Sequence, residues 1–231
     1  MLSDRFSLPC RVRTTRRQGS IALRVSRHEI RILAPQGTPA AAIERLLQER
    51  QQWIETAIAA QQQTPRAERG YCSGETLLLA GTPYPLLTLP GARCQLEWRD
   101  GVFELRLPHP DTTVAQRRQA VIAWYQQRAE QEWPQRLQHW ADHCDLHPQS
   151  LKIRTYKSRW GACTARGQVS LNTLLMLAPD TVRDYVIVHE LCHLRHLNHS
   201  AAYWALVARH CPDFKARRHW LKCEGRRLLF D

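Results

Sequence analysis

Val182–Leu197 reads VRDYVIVHELCHLRHL and is the most informative stretch of this 231-residue chain. Apolar residues recur in it mostly at helical spacing, which predicts a largely buried helix. His189 and His193 stand four residues apart, so both imidazoles share one helical face and can reach one metal ion. Glu190 can reach a water on that metal and serve as its general base. The segment predicts a metal-dependent hydrolase, because these side chains would be costly to bury without a metal.

A third metal ligand is expected, because catalytic zinc usually takes three protein ligands and keeps one position for water. His199, six residues after His193, is the preferred candidate. Asn198 can end the first helix and Ser200 can cap the next, so His199 lies at a corner that can fold back. Three alternatives remain open: His196, Asp213 and Glu224.

The spacing His-Glu-x-x-His-x5-His is that of the metzincins, but two features depart from that group. The usual glycine position is occupied by His196. Both methionines, Met1 and Met176, precede the motif, so a Met-turn after it is excluded. The chain is therefore not an ordinary metzincin.

A second set of histidines, His139, His143 and His147, also repeats every four residues. This spacing could indicate a second metal site. Pro148 follows directly and the surroundings are polar, which favours the end of an exposed helix.

Strand and helix patterns predict an α+β chain in two parts. The β-rich N-terminal region, residues 1–112, contains one helix, and a small zincin-like catalytic domain, residues 113–231, carries the HExxH helix. A polar linker or loop is expected at 61–70. The predicted strands lie within 8–34, within 75–107 around an Asp100-Gly101 turn, and at 151–155 and 168–171. The predicted helices cover 40–60 and 113–144, and regions near 180–197, 200–211 and 213–223. In the helix 113–144, Thr113 is expected near the start and Pro134 is expected to cause a kink or split.

The composition restricts the class of protein and its partners. The chain has a net charge of +12, with eight arginines in 5–31 and six basic residues in 215–227. This charge predicts either a surface that binds phosphate-rich partners such as nucleic acid or nucleotides, or only a solvated basic face. No apolar stretch is long enough to cross a membrane and no signal peptide is evident, so we expect a cytoplasmic protein without a membrane partner. The eight cysteines form no Cys-x2-Cys pair, which predicts reduced thiols.

Several further residues are candidates for contact with the substrate. Arg159, Tyr203 and His210 could stabilise an oxyanion. Asn172 ends the segment 169–172, which is either an internal strand or an edge strand that could pair with an extended substrate.

The motifs resemble those of the YgjP-like metallopeptidase family, which is related to the SprT-like zinc proteases. The resemblance is specific over about 152–208 and rests on His189–His193, Asn198-His199-Ser200, Tyr203-Trp204, the segment Lys157-Ser158-Arg159-Trp160-Gly161-Ala162-Cys163, and Leu171-Asn172. It implies His189, His193 and His199 as zinc ligands and Glu190 as the catalytic base. Ala162 and Tyr203 depart from the family, where serine and phenylalanine are usual.

Three functions are consistent with this sequence. The first is a zinc metallopeptidase-like hydrolase that uses a zinc-bound water activated by Glu190 on a peptide. The second is a nucleoside triphosphate (UTP-type) pyrophosphatase that uses the same metal site, an activity with which proteins resembling YgjP have been associated. The third is a nucleic-acid-associated, SprT-like protease that uses the basic surface.

Overall fold

A computed structural model describes residues 6–16, 19–26, 29–62, 69–156 and 158–228. Lys157 and residues 63–68, the larger part of the predicted linker, lie outside these ranges. Contacts divide the chain into two compact units, Met1–Glu68 and Arg69–Asp231. The boundary predicted at residue 112 falls inside the second unit, because the strands that precede it pack on the helix that follows it.

The first unit is a three-stranded sheet with two helices. Strand β3, Ile30–Pro35, lies between β1, Cys10–Thr15, and β2, Ala22–Val25; it is parallel to β1 and antiparallel to β2. The helices are α1, Ala40–Glu49, and α2, Gln51–Gln62. One helix was expected over 40–60, but Arg50 ends α1 with φ −105° and ψ 10°. Apolar residues remain in phase across this break, so their spacing could not reveal it.

The second unit begins with a four-stranded sheet in the order β4-β5-β7-β6. Its strands are β4, Thr76–Leu79, β5, Thr82–Pro90, β6, Gln95–Arg99, and β7, Val102–Leu107. The turn predicted between β6 and β7 is confirmed: Asp100 and Gly101 have φ of 49° and 82°, the positive values that a type I′ turn needs.

Helix α3, Val114–Cys144, is the longest element of the second unit. Thr113 caps it in a reciprocal capping box with Gln116. Of the kink or split predicted at Pro134, the split is wrong, because the helix continues through the proline. The buried stripe extends on both sides of the proline, with Trp133 and Leu137 in the core, and this packing favours continuity over the lost hydrogen bond.

The remaining elements of the second unit surround the HExxH helix. Strand β10, Gln168–Asn172, lies between β8, Ser150–Arg154, and β9, Gly161–Cys163. A 3₁₀ helix, Thr173–Leu177, leads to α4, Asp180–Cys192, which is followed by α5, Ala201–His210, α6, Phe214–Cys223, and α7, Gly225–Leu228. The predicted α+β class is confirmed. Among the described residues, none of the helices has both the length and the apolar character that a membrane crossing requires.

Arg183 fixes the start of α4 to the preceding 3₁₀ helix. Its guanidinium is 2% exposed and donates to the backbone carbonyls of Leu175, Met176 and Ala178. Glu132 on α3 accepts a further hydrogen bond from it at 2.9 Å. A buried charge is tolerated when it is paired and hydrogen-bonded in this way. The helix that carries the histidines is thereby anchored at its first turn.

Candidate active site

The structure brings three histidines together where α4 ends. His189 lies in the last turn of α4, and His193 is the residue at its C-terminal cap. The helix ends at Cys192, five residues earlier than predicted. The chain therefore turns directly after His193, and Ser200 caps the next helix as expected by accepting from the Tyr203 amide. This early turn returns His199 to the face that carries the other two imidazoles.

The donor atoms of His189, His193 and His199 all lie within 4.8 Å of one another. The Nε2 atoms of His189 and His199 are 3.3 Å apart. His193 donates from Nδ1 to the backbone carbonyl of His196 at 2.9 Å, which leaves Nε2 of His193 as its free nitrogen. A hydrogen bond from the second ring nitrogen is typical of metal-bound histidine, because it fixes the tautomer and the orientation of the ring.

The three alternatives to His199 do not join this group. His196 contributes its carbonyl to the His193 ring, as described above. Asp213 pairs with Arg217 at 2.8 Å, and Glu224 pairs with Arg227 at 2.8 Å. Within the described ranges, the three histidines are the one group of metal-ligand type.

Burial favours the neutral form of His189 and His199, which is the form of imidazole that binds metals. Burial, and then the charges of His193 and His199, lower the pKa of His189 to about 3. Burial also lowers the pKa of His199. Two neutral imidazole nitrogens only 3.3 Å apart repel each other unless a proton or a cation lies between them. A set of three converging imidazoles therefore fits zinc or a similar transition metal.

Glu190, the residue after His189 on α4, is almost completely shielded from solvent. It is 5% exposed, and burial raises the pKa of its carboxyl to about 8. The charge of Arg159 acts in the opposite direction and lowers that pKa. A carboxyl with a pKa near neutrality is well suited to both take up and release a proton.

Gly161 on β9 provides the space that Glu190 occupies. A Cβ at position 161 would lie 2.5 Å from Oε1 of Glu190, 2.7 Å from Cγ and 2.8 Å from Cδ. These distances are far below contact distance, so no larger residue fits without moving the carboxylate. Gly161 stands in the segment that carries the family resemblance, but no local signal in the sequence could reveal what the glycine faces.

Two aromatic residues of α5 hold the histidine rings in place. Tyr203 is fully buried, and its ring stacks on His193 with centroids 4.6 Å apart. Trp204 stacks on His199 with centroids 5.4 Å apart. The Tyr203 hydroxyl donates to the His189 backbone carbonyl at 3.0 Å. The expected role of Tyr203 in oxyanion binding is not supported, because its proton is already used to support a ligand-bearing residue.

Asn172 holds the loop that carries Arg159. Its side chain is fully buried, and Nδ2 donates to the carbonyls of Tyr156 and Arg159 at 2.9 and 2.7 Å. Its Oδ1 accepts from the Leu174 amide at 3.0 Å. The predicted contact of Asn172 with a substrate is therefore replaced by a structural role. Arg159 itself is exposed and lies over the ring of Tyr156.

Strand β10 is internal, so the interpretation of 169–172 as an edge strand is wrong. It pairs with β8 on one side and with β9 on the other. Among the described strands, β9 instead lies at the edge of the sheet, and its Gly161 faces Glu190.

His210 lies away from the three-histidine cluster, and its ring contacts His143 on α3 with centroids 5.8 Å apart. The second metal site considered for His139, His143 and His147 does not form among the described residues. His147 instead lies 3.8 Å from the carboxylates of Asp142 and Asp145. All eight cysteines are free, as the reduced-thiol interpretation requires.

The opposite pKa shifts of Glu190 and His189 predict how the stability of the chelated protein depends on pH. The stability that Glu190 contributes by being protonated in the fold is present below its unfolded pKa of 4.5 and is lost as pH rises through about 8. The contribution of neutral His189 is lost as pH falls from 6.5 through about 3. Between pH 4.5 and 6.5 the two contributions change in opposite directions. Above pH 6.5 the contribution of His189 is complete, so of these two groups only Glu190 lowers the stability further.

We expect the Tm of chelated wild-type protein to fall between pH 6.5 and 8, and this fall to be reduced in Glu190→Gln. Thermal unfolding followed by circular dichroism at several pH values measures both. The variant is the matched control, because every other titrating group is retained. An equal fall in both proteins would show that burial does not hold Glu190 in its protonated form.

Comparison with known proteins identifies the family. A family model described as YgjP-like, metallopeptidase domain, matches residues 19–224. No curated protein matches the chain. Among solved structures, the metallopeptidase zymogen of Pyrococcus abyssi abylysin is 20% identical and has a TM-score of 0.34; the match covers 39% of this chain and 94% of that chain. That likeness is too distant to support a statement about the site, whereas the family model covers most of the sequence. The chain therefore belongs to the YgjP-like family of metallopeptidase domains.

Proposed function

We propose that this chain is a zinc-dependent peptidase in which Glu190 is the general base. The family supports a metallopeptidase-like hydrolase and implies a divalent metal, typically zinc. The observations that carry the finer proposal are the buried carboxyl of Glu190, one residue after His189 on α4, and three imidazoles whose ligand atoms lie within 4.8 Å of one another. A general base and a metal ion are the two groups that metal-assisted hydrolysis of an amide by water uses.

His189, His193 and His199 would hold the ion. Three protein ligands leave a coordination position open, as in catalytic rather than structural zinc sites. When bound, zinc lowers the pKa of water to near neutrality and polarises a carbonyl oxygen. Tyr203 and Trp204 limit the rotation of the ligand rings, which reduces the entropy that is lost when the ion binds.

Glu190 moves the proton in this proposal. Its carboxylate takes a proton from the attacking water and later returns it to the leaving nitrogen of the peptide. Burial raises the pKa of Glu190, while a nearby cation lowers that pKa. The carboxyl can therefore act in both steps near neutral pH. Arg159 is the nearby cation and is also a candidate for contact with the developing negative charge on the substrate.

The edge strand β9 is the proposed support for an extended substrate. It lies at the edge of its sheet and approaches α4 at Glu190. A peptide that adds to this edge would form main-chain hydrogen bonds beside the base. The proposed substrate-binding edge is therefore Gly161–Cys163 instead of the segment 169–172.

Screening peptides beside nucleotides tests the proposal against its first alternative. Zinc-loaded wild-type protein, chelated protein and chelated protein restored with zinc are incubated with a quenched-fluorescent peptide library and a panel of nucleoside triphosphates. We expect peptide cleavage that is lost on chelation and restored by zinc. Release of pyrophosphate from a nucleotide without cleavage of any peptide would contradict the proposal and favour the pyrophosphatase.

A further inference from the structure

Arg218 on α6 lies beside the site, although its position in the sequence gave no sign of this. Its guanidinium carbon is 4.8 Å from the ring centroid of Trp204, the residue that stacks on His199. Phe214, one turn earlier on the same helix, stacks on Trp204 with centroids 5.3 Å apart. Arg218 is thus connected to a proposed zinc ligand through one aromatic ring.

The guanidinium of Arg218 has no carboxylate partner within ion-pair distance among the described residues, and neither has Arg159. Neighbouring arginines are neutralised: Arg217 on the same helix pairs with Asp213, and Arg183 pairs with Glu132. Both unpaired side chains are exposed, so their N–H donors are available to a ligand.

The charges of the two arginines act on the groups of the site. Burial lowers the pKa of His199, and the charges of His193 and Arg218 lower it further. Arg159 lowers the pKa of Glu190 against the effect of burial. Each of the two unpaired cations therefore acts on a group of the site, Arg218 on His199 and Arg159 on Glu190. Such an arrangement favours a ligand that brings negative charge.

We propose that Arg218, with Arg159, binds an anionic group of the substrate next to the bond that is cut, and that Arg218 sets this specificity. A guanidinium matches the two oxygens of a carboxylate or phosphate with two parallel N–H bonds. Stacking on Trp204 fixes the side chain in advance, so less conformational entropy is lost on binding. The inference rests on the proposed peptidase function, for which the anion is an acidic side chain or the terminal carboxylate of a peptide.

Paired peptides test the inference through activity. In each pair, one position near the cleavage site is Glu in one peptide and Gln in the other, and further pairs differ only in a free or amidated C-terminus. We expect wild-type kcat/KM to favour the charged member at one position. Arg218→Gln should reduce that preference about 10- to 100-fold, the value of one charge-assisted hydrogen bond.

Arg209→Gln is the matched control, because it removes the same charge from an exposed position on the neighbouring helix α5. It should retain the wild-type preference. Arg218→Lys keeps the charge but loses the planar donor pair, and we expect it to restore only part of the preference. Equal losses for charged and neutral peptides in Arg218→Gln, or no preference in the wild type, would overturn the inference.

Binding without turnover separates this inference from the proposed function. In a Glu190→Gln background, fluorescence anisotropy compares the affinity of labelled Glu and Gln peptides, and of a labelled nucleoside triphosphate, with and without Arg218→Gln. Weaker binding of the Glu peptide alone supports the inference, even where no peptide is cleaved and the peptidase proposal fails. Weaker binding of the nucleotide alone supports an anion site and assigns it to phosphate. Unchanged binding of all three ligands contradicts the inference, whatever the enzyme cleaves.

Discussion

Replacing Glu190 by Gln should lower kcat by about 10²- to 10⁴-fold, the usual contribution of a general base. Glutamine has nearly the same size, so it fits the space beside Gly161, but its amide cannot accept the proton of water. The three imidazoles are untouched. We therefore expect the zinc content of the variant to equal that of the wild type.

Steady-state kinetics on a cleaved peptide and elemental analysis of the same preparation check this prediction together. Loss of activity with full zinc content separates a catalytic role from a structural one. Full activity in Glu190→Gln would remove Glu190 from the mechanism, and loss of zinc would show that the carboxylate supports the metal site instead.

Replacing Gly161 by Ala should lower kcat by about 10²-fold, the cost of a misplacement of roughly 1 Å at a reacting group. The new methyl group would lie within 2.8 Å of three atoms of Glu190, including Oε1 at 2.5 Å. The carboxylate must move, because β9 is held by pairing with β10. The three histidines lie on α4 and in the turn after it, not on β9, so we expect zinc binding not to change.

The neighbouring Ala162 offers a matched control on the same strand. Ala162→Ser restores the residue that is usual in the family and should leave kcat within a fewfold of the wild type. Kinetics and zinc content are measured for both variants. Wild-type kcat in Gly161→Ala would show that the position of Glu190 is less restricted than the contact distances indicate.

The local part of the site could be predicted from the sequence. His189, Glu190 and His193 stand in one helical pattern, and the Asn198 and Ser200 signals indicated a corner at His199. Such features depend on residues fewer than a dozen positions apart. The strands around Asp100 and the cap at Thr113 were predictable for the same reason.

The rest of the site depends on contacts between distant segments, which a single sequence does not encode locally. Gly161 on strand β9 meets Glu190 on helix α4, and Arg218 on α6 reaches Trp204 on α5. Tyr203 was a reasonable candidate for an oxyanion donor, but its partner is the His189 carbonyl. His210 has the right chemistry and lies instead beside His143.

The basic composition predicted a charged surface but not its arrangement. In the first unit, Arg11 and Arg24 both lie opposite Arg31, so the three form one row across the sheet. Glu29 pairs with two of them, Arg11 and Arg31. Nucleic acid as a partner stays a prediction, which salt-dependent DNA binding would test.

Zinc content measured on wild type, His199→Ala and His196→Ala tests the three-histidine site most directly. His196 is the matched control, because it holds His193 through a backbone carbonyl that alanine retains. In competition with a fluorescent chelator, wild type and His196→Ala should each hold one zinc per chain. His199→Ala should lose it at the same chelator concentration. Undiminished zinc content in His199→Ala, or loss of zinc in His196→Ala alone, would contradict a zinc site formed by His189, His193 and His199.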